Sequence, residues 1–212
     1  MDAKVVLSQV RYGLHVVVRP FDGFWDLKHE KKGSLASAFC IVFLLLAARL
    51  SQYQFSGFFA VTQQQRDKVG LIIEIAKIVL PYVLWIVSNW SLTTLLDGEG
   101  SMKDIAVSTA YCLVPMILFI VPLTVLSNFV TLDENLFLNV FMGISIFWSG
   151  LLIFISVIVT HQYTILKAIL TILLSVVCMG ILLFLSMLVV SLIQQIAAFV
   201  MIIFQEASLR WL

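Results

Sequence analysis

Charge is what this sequence has least of. Only 12% of its 212 residues are Asp, Glu, Lys or Arg, where a soluble domain carries roughly a quarter. The formal net charge is +1, too close to neutral for a partner made of nucleic acid. Cysteines are few and odd in number. Cys40, Cys112 and Cys178 each lie inside an apolar run, which makes a poor disulfide framework and suits small packing residues. His15, His29 and His161 share no ligand spacing with them or with each other, so no metal and no cofactor is expected. Catalytic patterns are missing as well. There is no H-E-x-x-H, Walker or G-x-S-x-G run, and no serine has a partnering His and carboxylate in view, so no enzyme is expected. A cleavable signal peptide is not visible either: Ser8, Gln9 and Arg11 interrupt the first valines before a span builds, and the N-terminal region is expected in the mature protein.

Apolar sequence fills the space that charge leaves. The chain is 61% hydrophobic with a mean hydropathy of +1.07, arranged as long blocks between short polar breaks. That is the pattern of an all-α integral membrane protein, and the blocks predict a five-span transmembrane helical bundle. The expected spans are 35–53, 71–96, 102–129, 136–159 and 168–193. Residues 1–34 form a separate cytosolic unit, and 35–212 the membrane domain. The polar run from Thr62 to Gly70 reads as a turn between spans. NFVTLDEN, from Asn128 to Asn135, reads as a short loop with acids and no base.

Details within the spans sharpen this reading. Arg49 stands near the end of the first span, where it can snorkel to the interface. Glu74 and Lys77, three residues apart in the second, pair with each other or stand among headgroups. Pro81 predicts a kink in the second span, and Pro115 and Pro122, seven apart, predict a one-sided bend in the third. Ser101 with Asp104 reads as a capping box that starts the third span after the Asp97-Gly98-Glu99-Gly100 turn. The charge-free block from Ala168 to Phe204 would reach roughly 55 Å as one helix, against ~30 Å of hydrocarbon. Gln194-Gln195 is the expected exit, followed by a C-terminal interfacial helix ending at Trp211.

The N-terminal unit is amphipathic. Val6, Val10, Leu14 and Val17 fall near one helical face, while Lys4, Ser8, Arg11 and His15 fall on another. A helix on the membrane surface and a helix packed on the protein's own cytosolic side are equal readings of that pattern. Pro20 ends the helix. Phe21, Phe24 and Trp25 follow as interfacial aromatics, beside the juxtamembrane bases Lys28, Lys31 and Lys32. The excess of basic residues at this end places the N-terminus in the cytoplasm and, with five spans, the C-terminus outside.

Two stretches go beyond a generic membrane protein: Arg19–Ser34 (RPFDGFWDLKHEKKGS) and Leu95–Pro115 (LLDGEGSMKDIAVSTAYCLVP). Physically, a basic anchor and a capped interhelical turn would account for them. Together, P-F-D-G-F, D-G-E-G-S and Ala110-Tyr111-Cys112-Leu113-Val114-Pro115 at the third-span entry resemble the YIP-domain family, named for interaction with Ypt/Rab GTPases, in its bacterial branch. Alanine stands where eukaryotic members usually carry the glycine of G-Y-x-L-x-P. The resemblance implies a bacterial cytoplasmic (inner) membrane protein partnering carbohydrate ABC-transporter permeases and their ATPase.

The expectation drawn from all this is a non-enzymatic interaction protein, an accessory subunit docked laterally on such a transporter. Phe21, Asp22, Phe24, Trp25, Lys28, Lys31, Lys32, Asp97 and Glu99 would form one composite cytosolic surface facing partners or lipid. Gly143, Ser145 and Ser149, with Gly180, would pack against a neighbouring integral membrane protein. Two alternatives stay open. One is a stand-alone channel or transporter with a path past Asn89 and Asn128, although no ionisable residue sits at a span centre. The other is a bilayer-shaping protein that uses its terminal amphipathic segments as wedges.

Overall fold

A computed structural model describes residues 3–55, 70–131 and 134–210; the Thr62–Val69 part of the first interspan turn, and Trp211, lie outside them. Every element among them is a helix: α1 (Ala3–Val18), α2 (Pro20–His29), α3 (Leu35–Phe55), α4 (Leu71–Leu95), α5 (Met102–Cys112), α6 (Val114–Leu126), α7 (Asn135–His161) and α8 (Ile165–Arg210). Backbone polar groups have no water to bond in a bilayer, so apolar blocks of this length fold as helices. Five of the helical stretches are long and apolar enough to cross a membrane, α5 and α6 together counting as one.

That third stretch is interrupted. The Leu113 and Met116 amides bond back only three residues, to Ala110 and Leu113, because Pro115 has no amide to continue the ladder. Pro115 is buried and Pro122 faces outward, so the two prolines do not work on one face as their spacing suggested. Helix α4, by contrast, runs as one element through Pro81. The capping box at the start of α5 is present in full. The Asp104 amide donates to Ser101 Oγ (3.3 Å), and the Ser101 amide donates to Asp104 Oδ2 (3.0 Å).

Helices α3, α5, α6 and α7 form the centre of the bundle, and α8 packs chiefly on α4. Small hydroxyl residues fill much of the contact surface, among them Ser37, Ser108, Thr109, Ser145, Ser149 and Ser156. Side chains this short let helix backbones approach where lipid offers no hydrophobic drive. The main core joins the N-terminal helices to the spans through Val16, Phe24, Ile41, Tyr111 and Leu152, all 1% exposed or less.

The final apolar block is one helix through Gln194-Gln195: α8 has 46 residues and is about 69 Å long at 1.5 Å per residue, so its C-terminal part is continuous with the span. Only its first half packs, through Ala168, Thr171 and Ser175, and every residue from Phe184 to Phe204 is exposed. One expectation is corrected here: in α1 the buried stripe is rotated from the expected one. Val10 and Val17 pack on the core and Val16 takes the deepest position, while Leu14 is 47% exposed. The expected face ignored α2, which approaches from the Gly13–Val16 side and draws that side inward.

Candidate functional site

Helices α1 and α2 form a tight hairpin. Pro20 sits in the first turn of α2, where its missing amide costs nothing. It drives Arg19 out of the helical region, to φ −128° and ψ 77°. The return path crosses α1 at Gly23. A Cβ there would lie 2.8 Å from Val16 Cα, so only glycine lets the backbones meet. Phe24 and Leu27 then point into the core, 1% and 6% exposed. Phe21 and Trp25, four residues apart, point outward at 57% and 49%, and Trp25 stacks on His29 with ring centroids 3.9 Å apart.

The hairpin is closed by charge. Asp26 Oδ2 accepts from Tyr12 Oη and from Lys32 Nζ, both at 2.6 Å, and Lys32 also pairs with Glu30 at 2.6 Å. The Lys32 hydrogen bond, then that of Tyr12, holds the Asp26 carboxyl below its ordinary pKa. Burial and Asp26 push the Tyr12 hydroxyl up, and Asp26 and Glu30 push up the Lys32 ammonium.

The second stretch of the site meets the first directly. Lys28 Nζ lies 3.0 Å from Glu99 Oε2, joining α2 to the D-G-E-G turn across 71 residues of sequence. An ion pair with one exposed partner adds little stability, about 0–1 kcal/mol, but it fixes the register of the two segments. Beside it opens a cleft of about 680 Å³. Its rim carries Lys28, His29, Lys31 and Lys103 against Asp104, and its floor is made by Phe24, Leu27 and Val107. The cleft is therefore basic and half apolar, and it reaches Leu35 and Ala36 at the start of α3.

Beneath the turn lies a polar chain that no sequence spacing announced. The Gly100 amide donates to His161 Nδ1 (3.4 Å), which leaves the ring proton on Nε2 to donate to Asn89 Oδ1 (3.0 Å). Asn89 Nδ2 donates in turn to Ser175 Oγ (3.4 Å). One chain thus links the turn, α7, α4 and α8. A Cβ at residue 100 would stand 2.6 Å from His161 Cε1, which accounts for the second glycine of the turn. Tyr163 Oη donates to the Leu96 carbonyl (3.1 Å), and its ring carries Lys167 Nζ at 4.4 Å. The tyrosine of A-Y-C-L-V-P is equally structural. Tyr111 Oη donates to the Gln9 carbonyl (2.9 Å) and lies 3.3 Å from Ser37 Oγ, pinning α1 onto α3 and α5.

The structure sorts the expected site residues into three groups. Phe21, Asp22, Trp25, Lys31, Asp97 and Glu99 are exposed on the face formed by the hairpin and turn; among the described residues Asp22 and Asp97 accept no hydrogen bond. Lys28 and Lys32 reach the same face but are engaged by Glu99 and Asp26. Phe24 is a core residue, which corrects its placement among the contact aromatics. The small-residue stripe is also corrected. Ser145 and Ser149 are buried within this chain's own bundle at 0% and 4% exposure, whereas Gly143 and Gly180 face outward with nothing near them. Residues 143 and 145 lie 200° apart around a helix and cannot share one docking face. Tyr12, Asp26 and His161 were missed as site residues, and Asn89 was read only as part of a channel path, because the Tyr12–Asp26 and His161–Asn89 contacts join residues 14 and 72 apart. Among the described residues no group of three or more His, Cys, Asp or Glu side chains is placed to hold a metal.

The family model described as the Yip1 domain matches residues 14–187, from the inner half of α1 through the hairpin and turn to the middle of α8. A search of curated proteins and one of solved structures yielded no match. With that match over most of its length and five helices long and apolar enough to cross a membrane, the chain belongs to the Yip1 domain family as a multi-pass membrane protein.

Proposed function

We propose that this protein is a non-enzymatic interaction protein that docks on another membrane complex through the hairpin and turn. The observation that carries the reading is the division of labour within α2. Its inner residues lock the hairpin, while Phe21 and Trp25 are held outward on the helix whose Lys28 and His29 line a basic cleft, Trp25 stacked on His29. Preorganised aromatics on the same hairpin as a basic cleft form a surface that anchors a partner at little entropic cost. The preferred partner is a carbohydrate ABC transporter, with its permease pair and ATPase, in a bacterial cytoplasmic membrane; the N-terminus is cytoplasmic and the C-terminus outside. That choice of partner rests on the family resemblance, and the cytoplasmic placement on the basic N-terminal segment.

A stand-alone channel past Asn89 and Asn128 has less support. Asn89 is taken up by His161 and Ser175, while Asn128 donates to the Phe55 and Thr124 carbonyls at the opposite end of the bundle. The test is purification of the tagged protein from its host in mild detergent, with mass spectrometry of what accompanies it. A permease pair and its ATPase in stoichiometric amounts are expected, and their loss from a Phe21→Ala/Trp25→Ala variant that still folds. Recovery of this chain alone would overturn the reading.

A further inference from the structure

The bundle holds a second pocket, at the end remote from the hairpin, that plays no part in the docking reading. It measures about 380 Å³ between the second half of α3, the first half of α4, the α5–α6 junction, Ile153 of α7 and Met179 in the first half of α8. Its outer end carries Arg49, Glu74 and Lys77, and its inner end is apolar, closed by Trp85, Ile153 and Met179. The volume is that of a small-molecule site.

The outer end is built around a buried charge. The Glu74 side chain is only 3% exposed, yet it stands in a helix that crosses the membrane. A carboxylate buried in the bundle is costly without a partner. Lys77 supplies one, donating to Glu74 Oε1 at 2.6 Å while 60% of its own side chain stays open. Arg49, across the pocket, donates from Nη1 to the neutral amide oxygen of Gln52 (3.0 Å). Among the described residues two cations therefore stand against one anion, and Lys77 is held in place with donors to spare.

Depth identifies the kind of ligand. From Glu74 to Trp85 is eleven residues of α4, about 16 Å at 1.5 Å per residue. Half of a ~30 Å hydrocarbon layer is about 15 Å. The pocket thus has a cationic end at one membrane surface and an apolar length that stops at the midplane, the profile of a single lipid of one leaflet. We propose that it binds one glycerophospholipid from the leaflet remote from the hairpin. The phosphodiester is taken by Arg49 and Lys77, and an acyl chain runs inward past Trp85 to Ile153 and Met179.

The test uses the full-length chain in mild detergent, delipidated and then given dioleoyl phosphatidylglycerol. Native mass spectrometry counts bound lipid, and thermal unfolding reports stabilisation. One retained phospholipid per chain and a raised midpoint are expected. Arg49→Gln should weaken retention about tenfold, the loss of one hydrogen bond to a charged group. Met179→Trp, which fills the apolar end and leaves the charges untouched, should abolish it, and this variant decides the matter if Arg49→Gln does not fold. Equal stabilisation by soluble glycerophosphate would make the site one for a free phosphate and overturn the lipid. Equal retention of diacylglycerol, or undiminished retention in both variants, would overturn the site. A chain that keeps its lipid but purifies without partners would contradict only the docking reading.

Discussion

At Gly23 the helix pays an intrinsic penalty of about 1 kcal/mol relative to alanine. The compensation is the contact with Val16, the residue buried deepest in α1. Gly23→Ala should therefore destabilise the protein by about 1–3 kcal/mol, since the new Cβ meets backbone that cannot move aside as a flexible side chain would. Thermal unfolding in detergent reads this, and an unchanged or raised midpoint would show that the hairpin yields. Ser149 tests the opposite case. Its Oγ is buried with no hydrogen-bond partner among the described residues. Removing an unsatisfied hydroxyl of this kind is worth about 1 kcal/mol or more, so Ser149→Ala should raise the midpoint without altering partner recovery. Loss of a partner in that variant would restore Ser149 to a docking face.

The α1–α2 hairpin is an element held by charge as well as by packing. A carboxyl whose folded pKa is lowered adds stability that is fully present above its ordinary value, here 3.8, and is lost as pH falls through the lowered one. The contribution of Asp26 is thus intact at neutral pH and disappears only in acid, as Lys32 and Tyr12 lose their anionic partner. Asp26→Asn should lower the midpoint at neutral pH and flatten the acid limb of midpoint against pH. A variant with an acid limb parallel to the parent's would assign that limb to other carboxylates. The capping box at α5 belongs to the same scale and was legible from Ser101 and Asp104 alone, because all of its atoms lie within one turn. The rotation of α1 was not, because periodicity tells which residues share a face but not which neighbour arrives from which side.

For the whole molecule, the most exposed feature is the outer half of α8. The family match ends at residue 187, close to where burial ends. Ending the chain after Met187 should leave the thermal midpoint within about 3 °C, equivalent to under about 1 kcal/mol at this size. A larger fall would show that the segment carries contacts with the bundle. Exchange of the resulting protein into nanodiscs would then separate folding from anchoring, since an apolar helix of this length bears on how the chain sits in lipid.

The sequence by itself determined the all-α class, the five apolar blocks and the family, because lipid forces every long apolar run into a helix and the motifs are local strings. It also picked out the two segments that form the composite face. What only the tertiary structure decided was the duty of each residue within them: Phe24 and Tyr111 inward, Phe21 and Trp25 outward, Lys28 on Glu99, and Ser145 and Ser149 inside the bundle. The reason is distance along the chain. The Tyr111–Gln9, Asn89–Ser175 and Lys28–Glu99 bonds close loops of 102, 86 and 71 residues. Nothing in a window of one helical turn specifies such partners; they are selected when the backbones pack, and small residues such as Gly23 and Gly100 set how closely that happens.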